Sequence, residues 1–344
     1  MAGEMSRRKF IQLGLAAALG YGVAACTPFS LEKAGDEKEP GPEKVSPPPA
    51  ENGEGLGRDP SESPEPPRSL PRRALGQTGF QAGIFALGGS FTIARNQERA
   101  DTILNRALDL GVNYVDTAPS YGGSEANIGR ALHHRRQEFF LASKTLDRTY
   151  EGTLRLFRQS LKRLKTDRLD LLQLHGVHTQ KDLDQALGKQ GAIKALEELK
   201  KDGHIGFTGI TGHRDPQVLL QAIKEYPFDC LLLPLNAADP HFRPFSGELL
   251  QEAVNRGLGI IAMKVASYGR IFKDGGISTM EQALSYVLDL PVSTAIVGVS
   301  SLEEVEENIR IATHFAPLSR ERRAYLEDLV KPYYREANFF KTSW

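Results

Sequence analysis

Between residues 72 and 331 the chain alternates short, largely apolar runs with longer segments whose apolar positions fall three and four apart. The runs are 84–87, 112–115, 139–142, 169–174, 205–210, 230–235, 259–263 and 294–297. Their length and largely apolar make-up predict parallel strands buried on both faces. Between them, Ile103, Leu104, Ala107 and Leu108, and again Leu154, Phe157, Leu161 and Leu164, keep the period of an amphipathic helix. Eight such units over about 260 residues predict an α/β fold, a (β/α)8 TIM barrel rather than an open sheet. No Gly-x-Gly-x-x-Gly follows the first run, which argues against a doubly wound dinucleotide fold. Residues 73–80, ahead of the first unit, predict a short β-hairpin plugging the barrel bottom.

The flanks follow a different pattern. Arg7 and Arg8 precede an uncharged apolar stretch, 10–25, short of the roughly 20 residues that span a bilayer. Residues 1–26 therefore read as a signal peptide of the twin-arginine kind. Val23-Ala24-Ala25-Cys26 resembles a bacterial lipobox, so Cys26 is expected to carry a lipid. On this reading the protein is exported to the periplasm or cell envelope as an anchored lipoprotein, and that lipid is its only membrane contact. Residues 27–71 are rich in Pro and Glu and poor in apolar side chains, and are expected to form a disordered tether. Residues 332–344 form a C-terminal tail, with Tyr333, Tyr334, Phe339 and Phe340 expected over the barrel mouth.

Composition narrows the partners. Lys plus Arg equal Asp plus Glu at 43 each, so net charge gives no attraction to nucleic acid. The two cysteines, Cys26 and Cys230, are too few and too far apart for a disulfide framework or a cysteine metal site. His178 and His204 lack partners at metal-ligand spacing. His133-His134-Arg135-Arg136 reads as a solvated helix end, and Arg320-Glu321-Arg322-Arg323 as an exposed helix face.

Catalytic groups of such barrels sit at the carboxyl ends of strands. Three successive runs here end in polar residues that an apolar core would not select: Asp116, Lys144 and His175. Tyr121 follows Asp116 in the loop 117–122. Each has an ordinary structural explanation, as a turn cap, a snorkelling ammonium, a satisfied imidazole or a packed ring. Together on one face they suit carbonyl reduction, which needs a proton donor for the oxygen as hydride reaches the carbon. Lys144 is expected to lower the phenol pKa, Asp116 to hold Lys144, and His175 to orient the carbonyl.

The stretch Gly111-Val112-Asn113-Tyr114-Val115-Asp116-Thr117-Ala118-Pro119-Ser120-Tyr121-Gly122-Gly123-Ser124-Glu125 resembles the signature of the aldo-keto reductase superfamily. Ala142-Ser143-Lys144 and Leu172-Gln173-Leu174-His175 resemble its lysine and histidine segments, in order and spacing. The resemblance covers residues 72–331 and implies a catalytic tetrad of Asp116, Tyr121, Lys144 and His175, with tyrosine as the acid. It implies a nicotinamide cofactor, NADP(H) ahead of NAD(H), no metal, and a small carbonyl substrate such as an aldehyde, ketone or sugar. Residues 296–308 resemble its cofactor segment, where Gly298, Ser300, Glu304, Glu307 and Asn308 would meet the adenosine half at a helix N-terminus. Gly88, Gly89 and Ser90, after the first run, are further cofactor candidates.

Several positions depart from the family pattern. The segment near Glu304 lacks the basic residue expected beside a 2′-phosphate. Thr211-Gly212 replaces a serine–asparagine pair, Leu232 stands for a glutamine with Asn236 the nearest amide, and Met263 replaces a stacking tyrosine. Lys264 and Arg270 are expected to offset pyrophosphate charge. An Ala-Met-Lys stretch also resembles a subgroup with an iron–sulfur domain, but the cysteines for a cluster are missing. A cofactor-sensing binding module with little turnover is the alternative from another class; a metal-dependent hydrolase lacks the ligand clusters. Oligomeric state is not legible.

Overall fold

The computed structural model describes residues 69–343. The signal peptide, Cys26 and nearly all of the tether lie outside the described residues. Ten strands are described: β1 (Arg72–Ala74), β2 (Gln81–Gly83), β3 (Phe85–Gly88), β4 (Tyr114–Asp116), β5 (Phe140–Thr145), β6 (Leu169–Leu174), β7 (Ile205–Thr211), β8 (Cys230–Pro234), β9 (Gly259–Met263) and β10 (Thr294–Val297). β3 to β10 form a closed barrel, each strand parallel to its sequence neighbours, with β10 returning to pair with β3. Three of the expected runs coincide with strands residue for residue (β6, β9 and β10); the ends of the others shift by one to three residues. The second strand starts late, at Tyr114, because Asn113 is used otherwise. Its side-chain oxygen accepts from the Gly83 amide at 2.8 Å and its amide donates to the Gln81 carbonyl at 2.9 Å, tying the hairpin to the barrel.

The hairpin β1–β2 is antiparallel and closes one end. Leu75, fully buried, joins Ala82, Ala86, Tyr114, Phe140, Leu171, Cys230, Leu232, Ile261 and Ile296 in the apolar interior of the barrel. A second, larger core fills the space between strands and helices. Helix starts are set by side chains that accept a first-turn amide: Asn96 before Gln97–Asp109, Thr149 before Tyr150–Leu164, Asp215 before Pro216–Glu225 and Ser301 before Leu302–Thr313. Thr179 and Thr279 form full capping boxes. Each such cap is worth about 1 kcal/mol.

The tail packs firmly. Phe340 is fully buried, and the buried Lys341 ammonium donates to Asp239 Oδ1 at 2.5 Å and to the Phe242 carbonyl at 2.7 Å. Asn338 donates to the Ala238 carbonyl at 2.6 Å, and Ser267 hydrogen-bonds the Ala337 carbonyl. These partners lie in the loops after β8 and β9, so the tail does cover the mouth. His133–Glu138 is a short 3-10 turn; Arg136 is less free than a solvated end, reaching Asp170 at 2.7 Å. Arg323 leaves the exposed face to pair with Asp289. Among the described residues no helix is long and apolar enough to cross a membrane.

Leu75→Ala opens a void at the barrel floor and is expected to cost about 2–5 kcal/mol, read as a lower urea midpoint with an unchanged slope.

Candidate active site

In a strand every second side chain faces the barrel axis. That period carries polar residues inward one step above the apolar interior: Tyr114 leads to Asp116, Ala142 to Lys144 and Leu171 to Gln173, while Ile261 leads to Met263. Each of these second members lies at or near the carboxyl end of its strand.

Lys144, 1% exposed, anchors the site. Its ammonium donates to the Asp116 carboxylate and, at 2.8 Å, to the Thr117 carbonyl. Gln173 donates to the other Asp116 oxygen at 3.3 Å. Burial pushes Asp116 up and Lys144 down, toward their neutral forms, while their mutual attraction opposes both shifts. A charge in so dry a place is tolerated only with such partners. Gln173 was not among the site residues expected from the sequence. Its signal was an amide on the inward face of its strand, two residues beyond Leu171.

Tyr121 and His175 flank this pair. The Lys144 ammonium lies 5.0 Å from the Tyr121 ring centroid, and the Tyr121 and His175 rings meet edge to face at 5.8 Å. Ser120 Oγ is 3.5 Å from His175 Nδ1. Arg148 donates to the carbonyls of His175 and Gly176 at 2.8 and 2.9 Å, fixing the loop after β6. The four expected catalytic residues are thus brought together. Ser120, Tyr121, Lys144, His175, Thr211, His213, Leu232, Met263, Lys264 and Tyr268 line one cavity of about 250 Å³.

The electrostatics differ from expectation in one respect. Burial, and then the Asp116 charge, push the Tyr121 phenol well above its ordinary range. The Lys144 ammonium, 5.0 Å from the ring centroid, does not offset this rise. The phenol is therefore held protonated at neutral pH, the form that can donate to a carbonyl oxygen. His175 is held well below the ordinary histidine value, by burial first and then by the Lys144 charge. A neutral imidazole remains able to donate one hydrogen bond.

A model of the aldo/keto reductase family matches residues 81–273. The chain belongs to that family. Members exchange hydride between a nicotinamide and a carbonyl or alcohol, and this chain is an oxidoreductase of that kind. It is 28% identical over 285 residues to the uncharacterised oxidoreductase YqkF of Bacillus subtilis, covering 70% of this chain and 90% of that one. It is 26% identical over 317 residues to L-galactose dehydrogenase of Arabidopsis thaliana, covering 76% and 94%. Among solved structures, the holo form of an aldo-keto reductase from Bacillus halodurans superposes with a TM-score of 0.65 at 26% identity, covering 76% of this chain and 96% of that one.

The reductase distributes its expected cofactor residues unevenly. Thr211 and Met263 line the cavity. Gly298, exposed at the end of β10, is followed by Ser300, which is half-buried, and by the helix bearing Glu304, Glu307 and the buried Asn308. A strand end leading into a helix N-terminus is an arrangement that suits a dinucleotide phosphate. Gly88, Gly89 and Gly212 serve packing. A Cβ on Gly89 would lie 2.6 Å from the Asp116 carbonyl and one on Gly212 2.4 Å from the Val177 carbonyl; at Gly88, Ile296 is at 3.0 Å. Ser90 follows, half-buried. Asn236 is turned into backbone, donating to the Lys264 carbonyl at 3.2 Å and accepting from the Ala238 amide at 2.9 Å, so it does not replace the missing glutamine. Arg270 stacks on Phe339 of the tail at 3.8 Å. Lys264 projects into the cavity, 2.8 Å from the Tyr268 hydroxyl. His178 has a neighbour that spacing did not reveal, His213, with ring centroids 4.4 Å apart. Among the described residues no three His, Cys, Asp or Glu side chains are grouped to hold a metal ion.

Asp116→Asn leaves the Lys144 ammonium without its counter-charge and is expected to cost about 3–5 kcal/mol. Urea denaturation should show this, with part of the loss recovered when Lys144→Met is added.

Proposed function

We propose that the reductase interconverts a small carbonyl compound and its alcohol, with Tyr121 as the acid in reduction and the base in oxidation. A bound nicotinamide dinucleotide supplies or accepts the hydride. The observation that carries the assignment is the shared cavity, in which a protonated phenol and a neutral imidazole converge beside a buried ammonium–carboxylate pair. His175 orients the substrate oxygen by a hydrogen bond, Tyr121 donates the proton to it, and Lys144 stabilises the phenolate left behind. Asp116 and Gln173 hold Lys144 in place. Thr211 and Met263 would border the nicotinamide, and Gly298, Ser300, Glu307 and Asn308 the adenosine half.

The family resemblance supports NADP(H) ahead of NAD(H). Glu304 weighs the other way: its carboxylate accepts from the Ser300 amide at 2.7 Å, which places negative charge where a 2′-phosphate would need positive. The substrate class we infer is an aldehyde, ketone or sugar; the similarity to L-galactose dehydrogenase supports the last. A cofactor-sensing module with little turnover is supported by Gly212 and Leu232, which cannot hydrogen-bond a carboxamide through their side chains.

We further propose export as a lipoprotein, supported by Arg7-Arg8, the apolar stretch behind them and Cys26. Export after folding would carry the dinucleotide along. Expressed in a bacterium, the full chain is expected in the membrane fraction of the envelope, and Cys26→Ser in its soluble fraction. Equal membrane association of both would refute lipidation.

Tyr121→Phe is expected to lower kcat for aldehyde reduction by about 10²–10⁴-fold while dinucleotide binding, read by calorimetry, stays within a few-fold. Turnover unchanged by this substitution would remove Tyr121 from the chemistry, and dinucleotide binding without turnover in the unaltered protein would support the sensing module.

A further inference from the structure

Opposite Tyr121 and His175, the cavity holds a second hydroxyl–ammonium pair. Lys264 Nζ lies 2.8 Å from the Tyr268 hydroxyl and 4.1 Å from the centroid of its ring. Both residues line the cavity with the proposed acid and the orienting imidazole. The backbone is bent to place them. Lys264, Ser267 and Tyr268 take φ of 64°, 46° and 56°, a left-handed region that costs L-residues on the order of 1–2 kcal/mol each in general. The strain is held by Asn236, which donates to the Lys264 carbonyl, by Ser267, which bonds the tail at Ala337, and by an edge contact of Tyr268 with Phe339 at 5.9 Å between centroids. Local strain kept in place by surrounding contacts is characteristic of functional positions.

The charge lining this cavity is mainly cationic. Lys144 and Lys264 both face it, and the nearby carboxylate, Asp116, is bonded to Lys144. His175 and His213 are held neutral by burial. A neutral carbonyl compound uses the Tyr121–His175 side alone. Nothing in its reduction calls for a second ammonium and phenol facing the same space.

We propose that Lys264, with the Tyr268 hydroxyl, binds a carboxylate on the substrate, so that the preferred substrates are small carbonyl acids held at two points. This rests on the carbonyl-reduction reading above and adds a specificity-determining pair to it. An ammonium and a hydroxyl side by side offer two donors to one carboxylate, and low local dielectric strengthens both. The charge on Lys264 is itself sensitive to pH near neutrality. Burial, and then the Lys144 charge, pull its pKa down to about 7. The groups around it are Lys144 from β5, Tyr121 from the loop after β4, His175 and His213 from the loops after β6 and β7, and Tyr268 from its own loop. The two histidines stay neutral and the two phenols protonated across pH 6 to 8.5. Carboxylate affinity is therefore expected to fall as pH rises through that window, because the ammonium loses its proton.

The test is calorimetric binding of 2-oxobutanoate and of butan-2-one, which carries a methyl in place of the carboxylate. Both are titrated into the full chain saturated with oxidised dinucleotide, so that no turnover intrudes. The acid is expected to bind at least tenfold more tightly at pH 6, by a smaller margin at pH 8.5, and by none in Lys264→Met. Lys264→Arg should retain part of the margin, and Tyr268→Phe should reduce it without abolishing it. Equal affinity of the two ligands overturns the proposal, as does a margin that persists in Lys264→Met. If Lys264→Met instead weakens dinucleotide binding and leaves the margin intact, the ammonium belongs to the cofactor's pyrophosphate and the proposal falls. Failure of the carbonyl-reduction reading appears separately, as no reduction of any carbonyl by a protein that still binds these ligands.

Discussion

The buried pairing of Lys144 with Asp116 is the interaction on which the site depends. Neither charge would survive alone in an apolar barrel, since desolvation drives each toward neutrality. Together, with Thr117 and Gln173 completing the hydrogen bonds, they form a fixed dipole at the floor of the cavity. Its consequence for Tyr121 is indirect. Burial and the Asp116 charge keep the phenol protonated at rest. In the proposed reaction the pair would stabilise the charge that develops there without having to move, which is the sense in which a preorganised site lowers a barrier.

Barrel closure supplies the geometry that makes such a pair possible. Parallel strands point their carboxyl ends the same way, and the two-residue period puts Asp116, Lys144 and Gln173 on the axis side at one end. At the other end the hairpin inserts Leu75 into an interior of mainly apolar side chains. Close approach of β3 to β4 needs the absent side chain at Gly89, so that glycine contributes to the site by letting the strand bearing Asp116 pack tightly.

The C-terminal tail docks beside the cavity. Lys341 with Asp239, Asn338 with Ala238 and Ser267 with Ala337 dock it against the loops after β8 and β9. Tyr268 rests against Phe339, and Arg270 stacks on the same ring. The tail is thereby mechanically continuous with Lys264 and Tyr268. The Lys144–Asp116 pair on the β4–β6 side and the Lys264–Tyr268 pair on the β9 side are held by different sets of contacts.

Sequence by itself determined the barrel, the hairpin and the catalytic cluster. Largely apolar runs separated by helical periods leave few other ways to bury both strand faces, and Asp116, Lys144 and His175 stand at the ends of successive runs. The role of Asn113, the inward aim of Gln173, the diversion of Asn236 into backbone bonds and the packing use of Gly89 and Gly212 were not readable. Each depends on atoms tens of residues away. Lys264 shows the limit most clearly. Along the chain it is a lysine after a strand, suited to any phosphate nearby; only the left-handed turn, Tyr268 and the docked tail decide that its ammonium faces the cavity, because long-range packing and not local preference sets that backbone.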